Sequence, residues 1–487
     1  MMDTKNTSTA TLTRRDLLGR VATGMGTLGL AGVLAEAGML SAVAPSREQK
    51  NKGLHHPPRA KRVIQLLMNG GPSHVDSFDH KLGLVRYRGD RPAEVKFKTN
   101  RRTLGLLPSP FKFSRRGLSG LWVSDLFPEV ASCIDDLCVI NSMHTDFPEH
   151  VAGLLMMHVG AIQPNRPSLG SWLTYGLGTE NKNLPGFVSI CHKGKPRPAE
   201  PLWSNSFLPG AFAGAFVDTA DRSPDKTILN ITNPQIGRRE QRLQLDLLNR
   251  MNRLHLERAK SESALEARIE ALELAFRMQF EAPELFDLSR ESKQTRDFYG
   301  IKDEPTFKKD RGGRKYGGFA EGCLLARRLS ECGVRVVQLA FGPDIVWDDH
   351  DDILDHRAKA HECDRPIAAL LKDLKARGLL EDTLVLWGGE FGRTPTADPS
   401  GISIGRDHNH YGFTVWMAGG GVKGGVTYGA TDDFGMRAVK DPVHVHDLHA
   451  TILHLMGIDH EKLTFRHSGR DFRLTDVDGE VIRDILA

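Results

Sequence analysis

The chain has 487 residues, with 65 Lys or Arg against 61 Asp or Glu, a net charge of +4, 40% hydrophobic and 26% charged side chains. This is ordinary globular composition, which excludes a disordered chain, and the near balance of charge excludes a nucleic-acid binder of the usual broad basic kind. The length suffices for a large core, and one main domain with insertions is expected.

Six cysteines are scattered without a Cys-x-x-Cys pair, which argues against a zinc ribbon or a thioredoxin motif and for buried free thiols. At the N-terminus, Thr13-Arg14-Arg15-Asp16-Leu17-Leu18 precedes an uncharged stretch from Val21 to Ala35, and Ala42-Val43-Ala44 offers a cleavage site. The pattern resembles a twin-arginine export signal. It implies a signal over 1–44, a linker over 45–61 and a folded domain over 62–487. The domain would be carried out folded by the twin-arginine translocation machinery to the periplasm or beyond, and anchored to the membrane if the signal is not cleaved.

Taken in chain order, Val63 to Met68 reads as a short apolar strand that stops at Asn69-Gly70-Gly71-Pro72 and opens into the polar run Ser73 to His80. Leu137 to Ile140 is a second strand, running into Asn141 to Asp146, with a helix from Glu149 to Met157. Between Gln235 and Phe280, Leu243, Leu247, Met251, Leu254, Leu265, Ile269 and Leu272 recur at three- and four-residue steps. They mark one or two amphipathic helices in an insertion, read as plain packing or as a lid or dimer arm. A helix over Glu321 to Glu331 leads to a strand over Val334 to Phe341 and then Trp347-Asp348-Asp349-His350. A helix over Ile367 to Arg377 leads to a strand over Thr383 to Trp387 and then Gly388 to Pro395, and Phe413 to Ala418 is a strand ending in three glycines.

Strands alternating with helices predict an α/β fold, with a mostly parallel central sheet covered on both faces. In such sheets ligands gather beyond the carboxyl ends of the strands. Four groups of candidate metal ligands fall at or near those ends: Asp76 with Asp79, Asp348 with His350, Glu390, and Asp407-His408-Asn409-His410. Carboxylate and imidazole donors of this kind suit a divalent metal, zinc or manganese, with calcium or magnesium also open.

Beyond these residues, the stretches Asn69 to Phe78, Pro167 to Trp172, Trp347 to His350, Glu390 to Pro395, Gly405 to His408, Ala418 to Tyr428 with Thr431-Asp432, and Asp447 to Ile452 resemble the DUF1501 family. That family is described as sulfatase-like and is placed with the alkaline phosphatase superfamily. The resemblance implies an alkaline phosphatase-like fold and metal ions that engage a phosphate or sulfate ester. Asp76 then resembles the carboxylate after the first strand, Asp348 and His350 the distant Asp and His pair, Glu390 a position usually Asp, and His408 or His410 the late histidine.

Three positions depart from the superfamily pattern. Phe391 stands where a histidine ligand would follow. Asp352 and His356 keep the usual Asp-to-His spacing, which Asp348 and His350 do not. His150 occupies the nucleophile's place at a helix start, and as ligand or general base it is favoured over direct attack, while Ser142 and Thr145 remain candidate nucleophiles. No Cys or Ser stands in the motif of modified-cysteine sulfatases. Arg393 is read as a clamp for an anionic oxygen or as a structural ion pair. The expectation is an exported metal-dependent hydrolase of an anionic ester, such as a sulfated or phosphorylated glycan. The alternative is a non-catalytic binding protein that recognises glycan or envelope components.

Overall fold

A computed structural model describes residues 53–220, 235–259, 263–302, 307–310, 313–401 and 403–487, so the twin-arginine stretch lies outside the described residues. The elements that build the central layer are, in chain order, β1 (Arg62–Leu67), β2 (Leu137–His144), α1 (His150–Val159), α2 (Leu169–Leu177), β3 (Phe187–Cys191), β4 (Ala215–Asp218), α3 (Arg238–Ala259), α4 (Ser263–Phe286), α5 (Phe319–Glu331), β5 (Val336–Ala340), α6 (His356–Ala376), β6 (Thr383–Gly388), β7 (Phe413–Ala418), β8 (Val426–Tyr428), β9 (Val443–His444) and α7 (Val445–Leu455).

The strands form one sheet in the order β8-β2-β7-β6-β1-β5-β3-β4, with β9 also paired to β2. β1 lies parallel to both β5 and β6, and β3 parallel to β4 and β5, whereas β7 runs antiparallel to β6 and β2. Strands buried on both faces need apolar residues at successive positions, and β1 shows why. Ile64 and Leu66 enter one core with Cys323, Leu324 and Leu325 of α5 and with Ile367, Leu370 and Leu374 of α6. Val63 and Leu67 enter the opposite core with Leu154 and Met157 of α1, Trp172 and Leu173 of α2, and Leu448 and Ile452 of α7. The expected α/β architecture, a mostly parallel sheet between two helical layers, is therefore present.

The insertion is a pair of long helices, α3 and α4, held by Leu245 and Leu248 against Leu272 and Phe276. Arg242 pairs with Glu273 at 2.6 Å across them. The expected stripe is met in part: Leu272 and Met251 lie in this contact, but Leu243, Leu247 and Leu254 are 63%, 51% and 51% exposed, and the side chain of Leu265 lies outside the described residues. The leucines of α3 are dense enough to support two stripes, and only docking selects between them. The far half of α4 enters the main core through Met278, Ala282 and Leu285.

One helix boundary also differs from expectation. The helix expected to begin at Ile367 begins at His356 and runs through Pro366. Burial of Ala360, Cys363, Ile367, Leu370 and Leu371 along one side outweighs the lost backbone bond. β3 and β4, which end at Cys191 and Asp218, are not among the strands expected from the sequence. Five of the cysteines are buried as expected, but Cys332 is exposed. Among the described residues, no helix is long and apolar enough to cross a membrane.

Candidate metal centre

The carboxyl ends of β1, β2, β5 and β6 share one rim of the sheet, and each leads into a segment that carries polar residues. Because β7 runs the other way, its beginning lies at that rim, and its glycine end lies at the opposite edge near Leu380 and Leu384. A short ribbon pairs Gly392 with Asn409 and Arg393 with His408. It brings His408 beside the segment that follows β6.

Four side chains converge there. His350 Nε2 lies 3.0 Å, and His150 Nε2 and His408 Nε2 each 3.2 Å, from a single oxygen, Asp348 Oδ1. His350 Nε2 and His408 Nε2 are 3.0 Å apart. The donor atoms of His150, Asp348 and His408 lie within 4.8 Å of one another, as do those of His350, Asp407 and His408.

Each imidazole is oriented from behind. His150 Nδ1 donates to Glu390 Oε1 at 2.6 Å, His350 Nδ1 to Asp398 Oδ2 at 2.7 Å, and His408 Nδ1 to the Pro148 carbonyl at 2.7 Å. Glu390 and Asp398 assign the proton to Nδ1 on His150 and His350 and leave Nε2 as a lone pair, while His408 Nδ1 also has the Asn100 amide at 2.9 Å. Imidazole lone pairs facing one carboxylate oxygen repel it unless a proton or a metal cation lies among them. The buried Nε2 of His150 has no hydrogen-bond partner. Donors held by zinc at about 2.0–2.1 Å sit about 3.3 Å apart in a tetrahedral shell, close to the spacings around Asp348. The residues present fit a divalent ion.

The electrostatics agree. Burial opposes ionisation of Asp348, but the Arg393 guanidinium and then the three histidines outweigh it and hold this carboxyl far below the usual range. Burial pushes His408 down to about 4, so this ring is neutral and able to ligate. Burial also lowers the pKa of His150, but Asp348 and Glu390 overcome it and the net direction is upward. Without an ion, a proton on His150 serves the two carboxylates, and a bound ion would displace it.

The remaining candidates divide by position. Glu390 is fully buried and accepts the Gly70 N–H on both oxygens at 3.0 and 3.1 Å, so it orients His150 from behind. Gly70 is required at that turn. Its φ is +111°, and a Cβ there would stand 2.6 Å from Trp347 N and 2.7 Å from Asp348 N. Asp407 accepts the N–H groups of His408 and Arg101 at 2.8 and 2.6 Å and stays 3.8 Å from His350 Nδ1.

Asp76 is not among the converging groups. Its buried carboxylate is gripped by Arg406, Nε at 2.6 Å and Nη2 at 3.2 Å, and by the Ser73 hydroxyl at 2.5 Å. Asp79 pairs instead with Lys81 and Thr431. His410 also stands apart. The Asn409 side chain is bound to the carbonyls of Gly412, Gly435 and Met436, the chain turns there, and His410 packs on Tyr411. Asp352 and His356 lie outside the cluster too: Asp352 caps Leu354 N, and His356 bridges Asp349 and Ser73 N.

Arg393 is fully buried, and its donors are taken by Gly70, Gly71 and Arg406 carbonyls and by Asp348 at 2.8 Å. The structural ion pair, not an exposed anion clamp, is what forms. Phe391 packs its ring 4.7 Å from His408 and 5.0 Å from His150, an apolar wall where a further ligand would stand in the superfamily pattern. Sequence reading missed Asp398, Asn100 and Arg314. Arg314 donates to the Asp348 carbonyl at 2.7 Å. None of the three follows one of the strands expected from the sequence or falls in a repeated spacing.

The fold and this rim of imidazole and carboxylate donors define an α/β protein with a candidate metal centre at the carboxyl edge of its sheet. The family model described as "Protein of unknown function (DUF1501)" matches residues 60–486, and the chain belongs to that family. No curated protein matches the sequence. Among solved structures, the chain is similar to the lipoteichoic acid synthase LtaP from Listeria monocytogenes, at 10% identity over 89% of this chain and 80% of that one, TM-score 0.34. It is also similar to the PsFucS1 sulfatase from Pseudoalteromonas sp., at 11% over 86% and 73%, TM-score 0.31. A third is the TAB5 alkaline phosphatase, at 10% over 75% and 92%, TM-score 0.29. Likenesses of this size carry no argument about the reaction.

Proposed function

We propose that this chain is an exported metal-dependent hydrolase of phosphate or sulfate esters. The ion would be held by His150, Asp348 and His408, with His350 beside them. The observation that carries the reading is the convergence of three Nε2 atoms on Asp348 Oδ1, each ring fixed by an acceptor at Nδ1. Carboxylate–histidine–metal arrays have this form. The nitrogen-rich donor set favours zinc or manganese over calcium or magnesium.

When bound, a divalent ion supplies polarisation of an ester oxygen and acidification of water. His150 is held between Glu390 and Asp348 and is not free to attack, so its role is ligand. Glu390 and Asp398 keep protons on the far nitrogens. Arg393 neutralises and orients Asp348 from within the core. Ser142 gives its hydroxyl to the Asp441 carbonyl, the buried Thr145 hydroxyl has no hydrogen-bond partner, and neither is bonded to the four converging residues, which favours water as the attacking group.

The test is metal analysis of purified protein together with turnover of aryl phosphate and aryl sulfate. Activity should vanish with chelator, return with zinc or manganese, and be absent in Asp348→Ala and His350→Ala. Metal content and turnover unchanged in both variants would overturn the assignment. The absence of a bonded hydroxyl also favours a second reading, an exported binding protein with a structural ion. Stoichiometric metal with no turnover of any ester would select it.

A further inference from the structure

The segment Lys96-Phe97-Lys98-Thr99-Asn100-Arg101-Arg102 carries four cations and no acid. Its backbone and its amide are pinned onto the metal centre. The Asn100 amide donates to the Pro148 carbonyl at 3.0 Å and lies 2.9 Å from His408 Nδ1. The Arg101 N–H donates to Asp407 at 2.6 Å, and the Tyr411 hydroxyl to the Lys98 carbonyl at 3.3 Å. Leu104 N–H donates to the Ala397 carbonyl at 2.8 Å, one residue before Asp398.

The charged side chains are left to solvent. Lys96, Lys98, Arg101 and Arg102 are exposed, and none forms an ion pair among the described residues. The Arg101 guanidinium reaches only the Ser400 hydroxyl, at 2.8 Å. Arg437, also exposed, lies over the Phe97 ring at 5.6 Å and adds a fifth positive charge. A run of unpaired cations repels itself, and a matching row of anions relieves that repulsion. Five cations exceed what one sulfate or phosphate neutralises, whereas several such groups along one chain match them.

We infer that this strap is a track for a polyanion entering the metal centre. The preferred substrate then carries at least one sulfate or phosphate beyond the group presented to the cluster. This rests on the hydrolase reading for its substrate class, and its own test reads binding alone.

The probes are fluorescently labelled dextran sulfate and, separately, polyphosphate, titrated with the metal-loaded full chain and followed by anisotropy. Lys96→Glu/Lys98→Glu/Arg102→Glu should weaken binding by about tenfold or more. The distal pair Arg250→Glu/Arg253→Glu on α3 should leave it near that of the unaltered protein, and added salt should weaken it. The polymer that binds more tightly identifies sulfate or phosphate. Binding of neither polymer, or equal loss in the strap and α3 variants, would overturn the track. Strap-dependent binding by a protein that turns over no ester would sink the hydrolase reading alone. Ester turnover with strap-independent polymer binding would sink the track alone.

Discussion

His150 Nδ1 and Glu390 Oε1 are 240 residues apart in the chain and 2.6 Å apart in the fold. Glu390 has no exposed surface, and both its oxygens are tied to the Gly70 amide. This carboxylate therefore cannot swing to a new partner, and it fixes which nitrogen of His150 carries the proton. Gly153 of α1 packs so closely that a Cβ there would lie 3.2 Å from Glu390 Cβ, so the helix and the carboxylate are placed together.

Replacing such an orienting carboxylate usually lowers metal affinity by about 10–100-fold. Glu390→Gln keeps the shape and removes the charge, so zinc affinity measured by competition with a chromophoric chelator should fall in that range. Unchanged affinity would show that His150 needs no such support.

The two late histidines should separate cleanly. His408→Ala should lose bound metal. His410→Ala, whose ring packs on Tyr411, should retain it, as read by elemental analysis of folded protein.

Asp76 and Arg406 are both fully buried and paired at 2.6 Å. Removing one partner leaves an uncompensated charge, at a cost of about 3–5 kcal/mol. Asp76→Ala should therefore shift the urea midpoint strongly while the folded fraction keeps its metal. Loss of metal with unchanged stability would return Asp76 to the site.

Acid should destabilise the fold through buried histidines that are not among the converging groups. Burial depresses His158 to about 4 and His449 to about 3, so between the ordinary value of 6.5 and those values the unfolded chain binds more protons. Stability is present above pH 6.5 and is lost as pH falls, each residue contributing up to about 1.4 kcal/mol per pH unit. His449→Gln should flatten the dependence of unfolding free energy on pH between 6 and 4. An unaltered slope would show that this ring is not the titrating group.

What the sequence determined by itself was the class of fold and several of the candidate ligands. Apolar runs bounded by glycine, alternating with helical periodicity, depend on local burial alone, and they placed β1, β6 and β7 within a residue or two. They also put Asp348, His350 and His408 among the polar residues at strand ends. Tertiary structure decided the rest, because it turns on direction and partnership. Only the antiparallel course of β7 shows that the residues before it, and not the glycines after it, reach the rim. Only packing shows that Asp76 faces Arg406 while Asp348 faces three imidazoles, although each is one Asp in the polar run after an apolar strand. Asp398 and Asn100 come from loops whose sequence has no period, so their approach to His350 and His408 is set by the fold that closes around them.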